Sequence, residues 1–204
     1  MKQLALAGGI LCGAASIALA VVYSSGETDP FVSCRADHGI DVAQIGGAFE
    51  LLDETGQLVR DTDLVSEPTL LYFGYTFCPD VCPMDNMRNA EAAYILEDRG
   101  QSLQTVFVSV DPARDTPDVL AYFTDNFHPN MMGLTGTPET IAEVTEDYHA
   151  FYQIQDPEED GYYLIDHSTY SYLMMPGHGV VDIVQRTDPA FEVAERASCM
   201  MQAV

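Results

Sequence analysis

Two cysteines stand four positions apart in FGYTFCPDVCP, residues 73–83. An apolar run precedes them and a segment with helical spacing follows, so Cys78 and Cys82 are predicted to lie in a strand-to-helix turn. At a helix start, exposed N–H groups and the helix dipole stabilise thiolate, which makes sulfur both a nucleophile and a metal ligand. The pair could therefore be a plain disulfide, a redox couple or half of a site for a soft metal.

A metal site built on two thiolates needs at least one more ligand. The best candidate is His167 in IDHSTY, which follows an acidic turn and precedes a predicted strand. A lone histidine is usually a surface or core residue, however, and spacing alone does not select His167 from the other histidines.

Strands and helices alternate around these residues. TLLYFGYTF and LQTVFVSV are typical of strands buried on both faces, and MMGLTG could be a short strand. GGAFELLDETGQLV predicts a hairpin with its turn at 53–56, and STYSYLMM with HGVVDIV predicts a second, late hairpin. Helix starts are indicated at Pro83, Pro117, Pro138 and Pro189. This order predicts an α/β sandwich in one domain, residues 46–204.

The N-terminus is different in character. After Lys2, an uncharged apolar stretch runs from Leu4 to Tyr23, which is just long enough to span a bilayer as a helix. Residues 1–23 are therefore predicted to be a transmembrane anchor, with a signal peptide as the alternative, and residues 24–45 a tether. Lys2 before the stretch and acidic residues after it favour an N-terminus inside and a domain outside.

The charge balance is strongly acidic, with 32 acidic and 8 basic residues and a formal net charge of −24. Such a surface repels phosphate backbones, which argues against nucleic acid as a partner. A basic protein partner, a high-salt habitat and simple solubility remain open as reasons for the acidity.

The remaining cysteines must be considered as disulfide candidates, because the domain is predicted to be exported. Cys34 and Cys199 could bridge, since chain termini of a domain often lie close together, although connectivity cannot be deduced from sequence. Cys12 lies in the apolar stretch and would be unpaired.

Taken together, these motifs resemble the Sco/SenC family of membrane-anchored, thioredoxin-like copper chaperones, which help to assemble the dinuclear copper site of cytochrome c oxidase. The resemblance covers almost everything from about residue 46 to residue 184. The matching stretches are FELLDETG (49–56), LLYFGYTFCPDVCP (70–83), VSVDPARDTPDVLAYF (108–123), LTGTPETIAEVTEDY (134–148) and DHSTYSYLM (166–174).

The resemblance implies a thioredoxin-like three-layer α/β/α sandwich with a central mixed sheet, an N-terminal hairpin and an N-terminal membrane helix. It also implies that Cys78, Cys82 and His167 bind Cu(I) or Cu(II). The protein would cross the bacterial inner membrane once, with its domain on the periplasmic side. Its partners would be the copper-binding subunit of cytochrome c oxidase and another periplasmic copper chaperone.

Such a protein would pass copper on by ligand exchange and would not be an enzyme in the ordinary sense. The main alternative is a thiol-disulfide reductase that uses Cys78 and Cys82 as a redox couple to keep the oxidase's copper ligands reduced. Copper retention should need His167, whereas redox exchange should not. A third hypothesis is a sensing module that acts by binding a membrane partner.

Several carboxylates near the motifs have weaker assignments. Asp80 is a candidate for an extra oxygen ligand to Cu(II), and Asp166 could orient the ring of His167. Asp111 and Asp115, from a matching loop, could cap and shape the surroundings of the site, but a structural role at the start of the next helix is favoured for both.

Four methionines near the motifs mark departures from the family pattern. Thioethers suit Cu(I), but methionine at helical spacing more often packs in a core. Core packing is therefore predicted for Met84, Met87, Met174 and Met175.

Overall fold

The computed structural model describes residues 29–36 and 38–204. The predicted transmembrane anchor, residues 1–23, lies outside the described residues. None of the helices within the two described ranges combines the length and the apolarity needed to cross a membrane.

Strands and helices alternate along the described chain, as predicted. The elements in order are a 3₁₀ turn (Val42–Gln44), β1 (Glu50–Asp53), β2 (Leu58–Arg60), α1 (Asp61–Leu64), β3 (Thr69–Gly74), α2 (Val81–Glu97), β4 (Gln104–Ser109), α3 (Pro117–Thr124), β5 (Met131–Thr135), α4 (Pro138–Asp147), β6 (Tyr152–Ile154), β7 (Ile165–His167), β8 (Ser171–Met175), β9 (Gly179–Val184) and α5 (Ala190–Met201).

A mixed sheet of seven strands forms the centre, in the order β2-β1-β5-β4-β3-β8-β9. Strands β3, β4 and β5 run parallel, and their neighbours at both ends pair antiparallel. Every residue of β3 is buried, as expected from its uninterrupted apolar run. Both predicted hairpins are present, as the pairs β1–β2 and β8–β9.

Helices cover both faces of this sheet. Because side chains alternate along a strand, Leu70 of β3 faces one side and Phe73 the other. Leu70 packs in an apolar cluster with residues of α2 and α5. Phe73 meets Tyr148, at the end of α4, with ring centroids 5.5 Å apart. The expected three-layer α/β/α sandwich with a central mixed sheet is confirmed.

The described part of the predicted tether packs on the domain, and the tether prediction is corrected there. Phe31 is buried at 2% exposure, and Arg35 Nε donates a hydrogen bond to a backbone carbonyl of β9 at 2.6 Å. Cys34 is disulfide-bonded to Cys199 in α5, which confirms the pairing that the sequence left open. Apart from the 3₁₀ turn at Val42–Gln44, individual side-chain contacts rather than a helix or a strand hold the described part of this segment in place, so its sequence shows little periodicity.

Candidate metal centre

The three predicted ligands come together where β3 leads into α2. Cys78 precedes α2, Cys82 is the second residue of that helix, and His167 ends β7. Cys82 and His167 are 85 positions apart in the chain. The two sulfurs and one imidazole nitrogen nevertheless all lie within 4.8 Å of one another.

The His167 ring is oriented by the backbone. Its Nδ1 lies 2.8 Å from the carbonyl oxygen of Ser168, and we assign the ring proton to Nδ1, which donates to that oxygen. The lone pair of Nε2 then faces the sulfurs, 3.3 Å from Cys82 Sγ. This is the arrangement that a metal-binding imidazole requires.

Cys82 is the enclosed sulfur of the pair, with no exposed surface. Gly74 leaves room for it, since a Cβ at that position would lie 2.8 Å from Cys82 Sγ. The Tyr72 hydroxyl lies 3.9 Å from the same sulfur and donates to Asp85 Oδ2 at 3.0 Å. Burial raises the pKa of the Cys82 thiol, and the neighbouring Cys78 sulfur raises it further.

Cys78 is the more reactive sulfur. Its Sγ accepts a hydrogen bond from the Cys82 backbone N–H at 3.4 Å. The hydrogen bond with the Cys82 side chain, joined by hydrogen bonds from backbone N–H groups, outweighs burial and lowers the pKa of Cys78 to about 3. The metal-free pair therefore consists of one thiolate and one thiol.

Asp115 anchors the loop that carries Cys78. This carboxylate is fully buried and accepts hydrogen bonds from the Thr76 N–H at 2.9 Å, the Thr76 hydroxyl at 2.6 Å and the Ser109 hydroxyl at 2.6 Å. Asp111 accepts a hydrogen bond from the Tyr163 hydroxyl at 2.8 Å. Both carboxylates thus shape the surroundings of the site, rather than only the helix start that the sequence favoured for them.

The comparison with known families agrees with this geometry. The family model described as SCO1/SenC matches residues 38–202. The chain belongs to the SCO1/SenC family. Protein SenC of Rhodobacter capsulatus is 48% identical over 188 residues, which cover 92% of this chain and 85% of SenC. The mitochondrial SCO1 homolog 1 of Arabidopsis thaliana is 44% identical over 135 residues, which cover 66% of this chain and 40% of that protein.

Solved structures of the SCO1/SenC family share the fold. Arabidopsis thaliana ScoI, solved with copper bound, superposes with a TM-score of 0.73 at 38% identity and covers 78% of this chain and 99% of its own. Yeast Sco1 with copper bound gives a TM-score of 0.74 at 30% identity, over 79% of this chain and 90% of its own. The thioredoxin-like α/β fold is thereby confirmed.

Two carboxylates do not take the places predicted for them in this SCO1/SenC chain. Asp166 accepts a hydrogen bond from Gln155 Nε2 at 3.0 Å and does not orient His167, because adjacent strand residues point to opposite faces. That prediction is wrong, and the Ser168 carbonyl fills the role. Asp80 is exposed and lies outside the cluster of candidate donors found among the described residues.

The four methionines near the sequence motifs divide into a buried pair and an exposed pair. Met174 and Met175 are buried at 4% and 0% exposure, which confirms core packing. Met84 and Met87 are 57% and 63% exposed, so the prediction is wrong for them. At 3.6 residues per turn, both lie roughly 140–200° around α2 from Cys82, on the side away from the sheet.

The short sheet that carries His167 was not predicted. Strands β6 and β7 pair antiparallel, with Tyr152 opposite His167, apart from the main sheet. Three residues per strand are too few to show a period of two, so the pattern gave no signal. Tyr72 was also missed, although a polar-tipped ring within an apolar buried strand is a usable signal, since a buried hydroxyl needs a partner.

Proposed function

We propose that this protein binds copper through Cys78, Cys82 and His167 and passes it to the dinuclear copper site of cytochrome c oxidase. The observation that carries the proposal is the meeting of two sulfurs and an imidazole nitrogen within 4.8 Å in an SCO1/SenC chain. Copper-bound structures of Arabidopsis ScoI and yeast Sco1 support copper as the metal. The oxidase as recipient follows from the family resemblance.

The donor set suits copper that is carried rather than stored. Thiolates select soft ions such as Cu(I) over hard cations, and imidazole is a good ligand for copper. Three protein donors leave room for a partner's thiolate to enter before the protein's own donors leave, so copper passes without release into solution. The Cys78 thiolate is ready for the metal, whereas the buried Cys82 thiol gives up its proton as copper binds.

The proposal includes a location and partners. Residues 1–23 form a single span of the bacterial inner membrane, and the copper domain lies on the periplasmic side. The Cys34–Cys199 disulfide supports an exported domain, because such bonds persist in oxidising compartments. The copper-binding subunit of the oxidase receives the metal, and another periplasmic copper chaperone exchanges copper with the same site.

Metal analysis of the full-length protein tests the copper proposal. The protein is purified with Cys78 and Cys82 reduced, beside a His167→Ala variant and a His178→Ala control, whose exposed imidazole lies outside the site. We expect stoichiometric copper in the parent and the control, and loss of the histidine contribution to the Cu(II) spectrum in His167→Ala. A parent without stoichiometric copper, or an unchanged Cu(II) spectrum in His167→Ala, contradicts the proposal.

The difference between the lowered pKa of Cys78 and the raised pKa of Cys82 favours thiol-disulfide reduction as a second candidate function. Cys78 supplies a low-pKa thiolate that attacks a partner disulfide, and Cys82 lies close enough to resolve the mixed disulfide. The partner gains two thiols as Cys78 and Cys82 become a disulfide, which removes both sulfurs from the metal. Exchange with a disulfide-containing peptide should survive His167→Ala, and absence of exchange in the parent excludes this function.

A further inference from the structure

Arg114 lies between the loop that carries Cys78 and the segment that leads to His167. It belongs to the loop that connects β4 to α3, and its side chain is 17% exposed. Its guanidinium carbon lies 3.5 Å from the ring centroid of Tyr163 and 4.8 Å from that of Phe77. Phe77 immediately precedes Cys78, and Tyr163 stands four residues before His167. One side chain therefore contacts both segments that carry metal donors.

Hydrogen bonds fix Arg114 in this position. Its Nε pairs with the carboxylate of Asp111, and its Nη1 donates to the backbone oxygen of Tyr163 at 2.9 Å. The Tyr163 hydroxyl donates to the other oxygen of Asp111 at 2.8 Å. Arg114, Asp111 and Tyr163 thus form a closed triangle of contacts. A planar guanidinium can stack on a ring and donate in the plane at once, which a lysine cannot do.

The strand that carries His167 depends on such side-chain contacts. Strands β6 and β7 form a separate two-stranded sheet, so the ladder of the main sheet does not hold them. The connection between them runs from residue 155 to residue 164, and its first eight residues, 155–162, are all exposed. Tyr75 provides a second attachment, because its hydroxyl accepts a hydrogen bond from the Ile165 N–H at 3.3 Å and its ring lies 5.7 Å from that of His167.

We infer that Arg114 is a positioning residue of the metal centre, which holds the segment from Tyr163 to His167 against the cysteine loop and so sets the approach of the imidazole to the two sulfurs. The inference rests on the proposed copper-binding function and extends it to a residue outside the donor set. Arg114 acts through Phe77 and Tyr163 and does not itself bind copper.

Substitutions separate the parts of this contact. Arg114→Gln removes the charge and most of the stacking, and it should lower the affinity of the reduced protein for Cu(II) by about 10- to 100-fold, as is usual for groups that orient metal ligands. Arg114→Lys keeps the charge without the planar group and should recover only part of the affinity. Arg60→Gln is the matched control, since Arg60 makes an exposed ion pair with Glu50 in β1 and should leave the affinity unchanged.

A double-mutant cycle with His167→Ala tests whether Arg114 acts through the imidazole. Cu(II) affinity of the full-length protein is measured for the parent, both single variants and the double variant. If Arg114 positions His167, Arg114→Gln should cost little further affinity once His167 is absent. An equal loss of affinity in both backgrounds overturns the inference.

Amide hydrogen exchange of the reduced, metal-free protein tests, independently of copper, whether Arg114 holds the segment that leads to His167. Exchange at residues 163–167 should be faster in Arg114→Gln than in the parent, with Arg114→Lys intermediate and Arg60→Gln unchanged. Parental exchange rates in Arg114→Gln overturn the inference even if copper binds. A parent that binds no copper refutes the proposed function instead, while the exchange result still decides whether Arg114 holds this segment.

Discussion

Gly74→Ala places one methyl group directly beneath the metal centre. A Cβ at this position would lie 2.8 Å from Cys82 Sγ, 2.9 Å from Tyr72 Cε1 and 3.0 Å from Phe107 Cε2. Carbon atoms in contact normally stay about 3.5–4.0 Å apart, so these neighbours must retreat by roughly 0.5–1 Å. All three are fully buried or nearly so, and overpacking of this kind costs about 1–3 kcal/mol.

Two measurements separate the effect of this methyl group on folding from its effect on the site. The free energy of unfolding in urea should fall by about 1–3 kcal/mol. Copper affinity should fall by about tenfold or more, because the displaced atom is a metal donor. Gly136→Ala is the matched control, since its Cβ would approach only the tip of Leu51 closely, at 3.0 Å, away from the site. Parental copper affinity in Gly74→Ala would refute the idea that Gly74 confines Cys82.

Three further predictions address the disulfide, the reactive sulfur and the buried carboxylate. The Cys34–Cys199 bridge spans 165 residues, and replacing both cysteines by serine should lower the free energy of unfolding in urea by about 2–5 kcal/mol without changing copper affinity; a loss below about 1 kcal/mol would contradict this. Because the pKa of Cys78 is about 3, its alkylation by iodoacetamide in the reduced, metal-free protein should hardly slow between pH 8 and about pH 4. An ordinary thiol slows about tenfold per pH unit there, and a Cys78→Ser control should lose this acid-resistant alkylation. Burial raises the pKa of Asp115, so this carboxyl stabilises the fold most when protonated, and that stability is lost as pH rises from about 4 through its raised pKa. The free energy of unfolding in urea should therefore rise for Asp115→Asn relative to the parent between about pH 4 and pH 7. A difference in unfolding free energy that stays constant over this pH range would contradict the prediction.

The fold was predictable where local signals and burial agree. Strand β3 is buried along its whole length and has an uninterrupted apolar sequence, so its place at the centre of the sheet follows from pattern alone. Helices α3 and α4 begin at Pro117 and Pro138, where the missing N–H costs nothing. Beyond the candidate Cys34–Cys199 bridge, the packing of the segment around Cys34 was not predictable, because its contacts are made with α5 and β9, at the far end of the chain.

The residues of the site were likewise predictable where the signal is local in the sequence and not where it depends on distant contacts. The turn that carries Cys78 and Cys82 is local, so its type and its reactivity could be inferred from eleven neighbouring residues. His167 approaches the Cys82 sulfur across 85 positions of the chain, and only the family resemblance singled it out beforehand. The errors over Asp166 and Met84 are errors of direction, since each residue lies near the site in sequence and points away from it in space.

The two sulfurs and the imidazole differ in how firmly the fold holds them, and this difference bears on how copper leaves. Cys82 is enclosed between Gly74 and Tyr72 and cannot move without disturbing the core. Cys78 lies in the loop before α2 and keeps 9% of its surface exposed, while His167 stands on the separate sheet. An incoming ligand would therefore displace Cys78 or His167 first, and Cys82 would release the metal last. One fixed donor with two more accessible ones allows stepwise exchange, which a site of three equally enclosed donors would not.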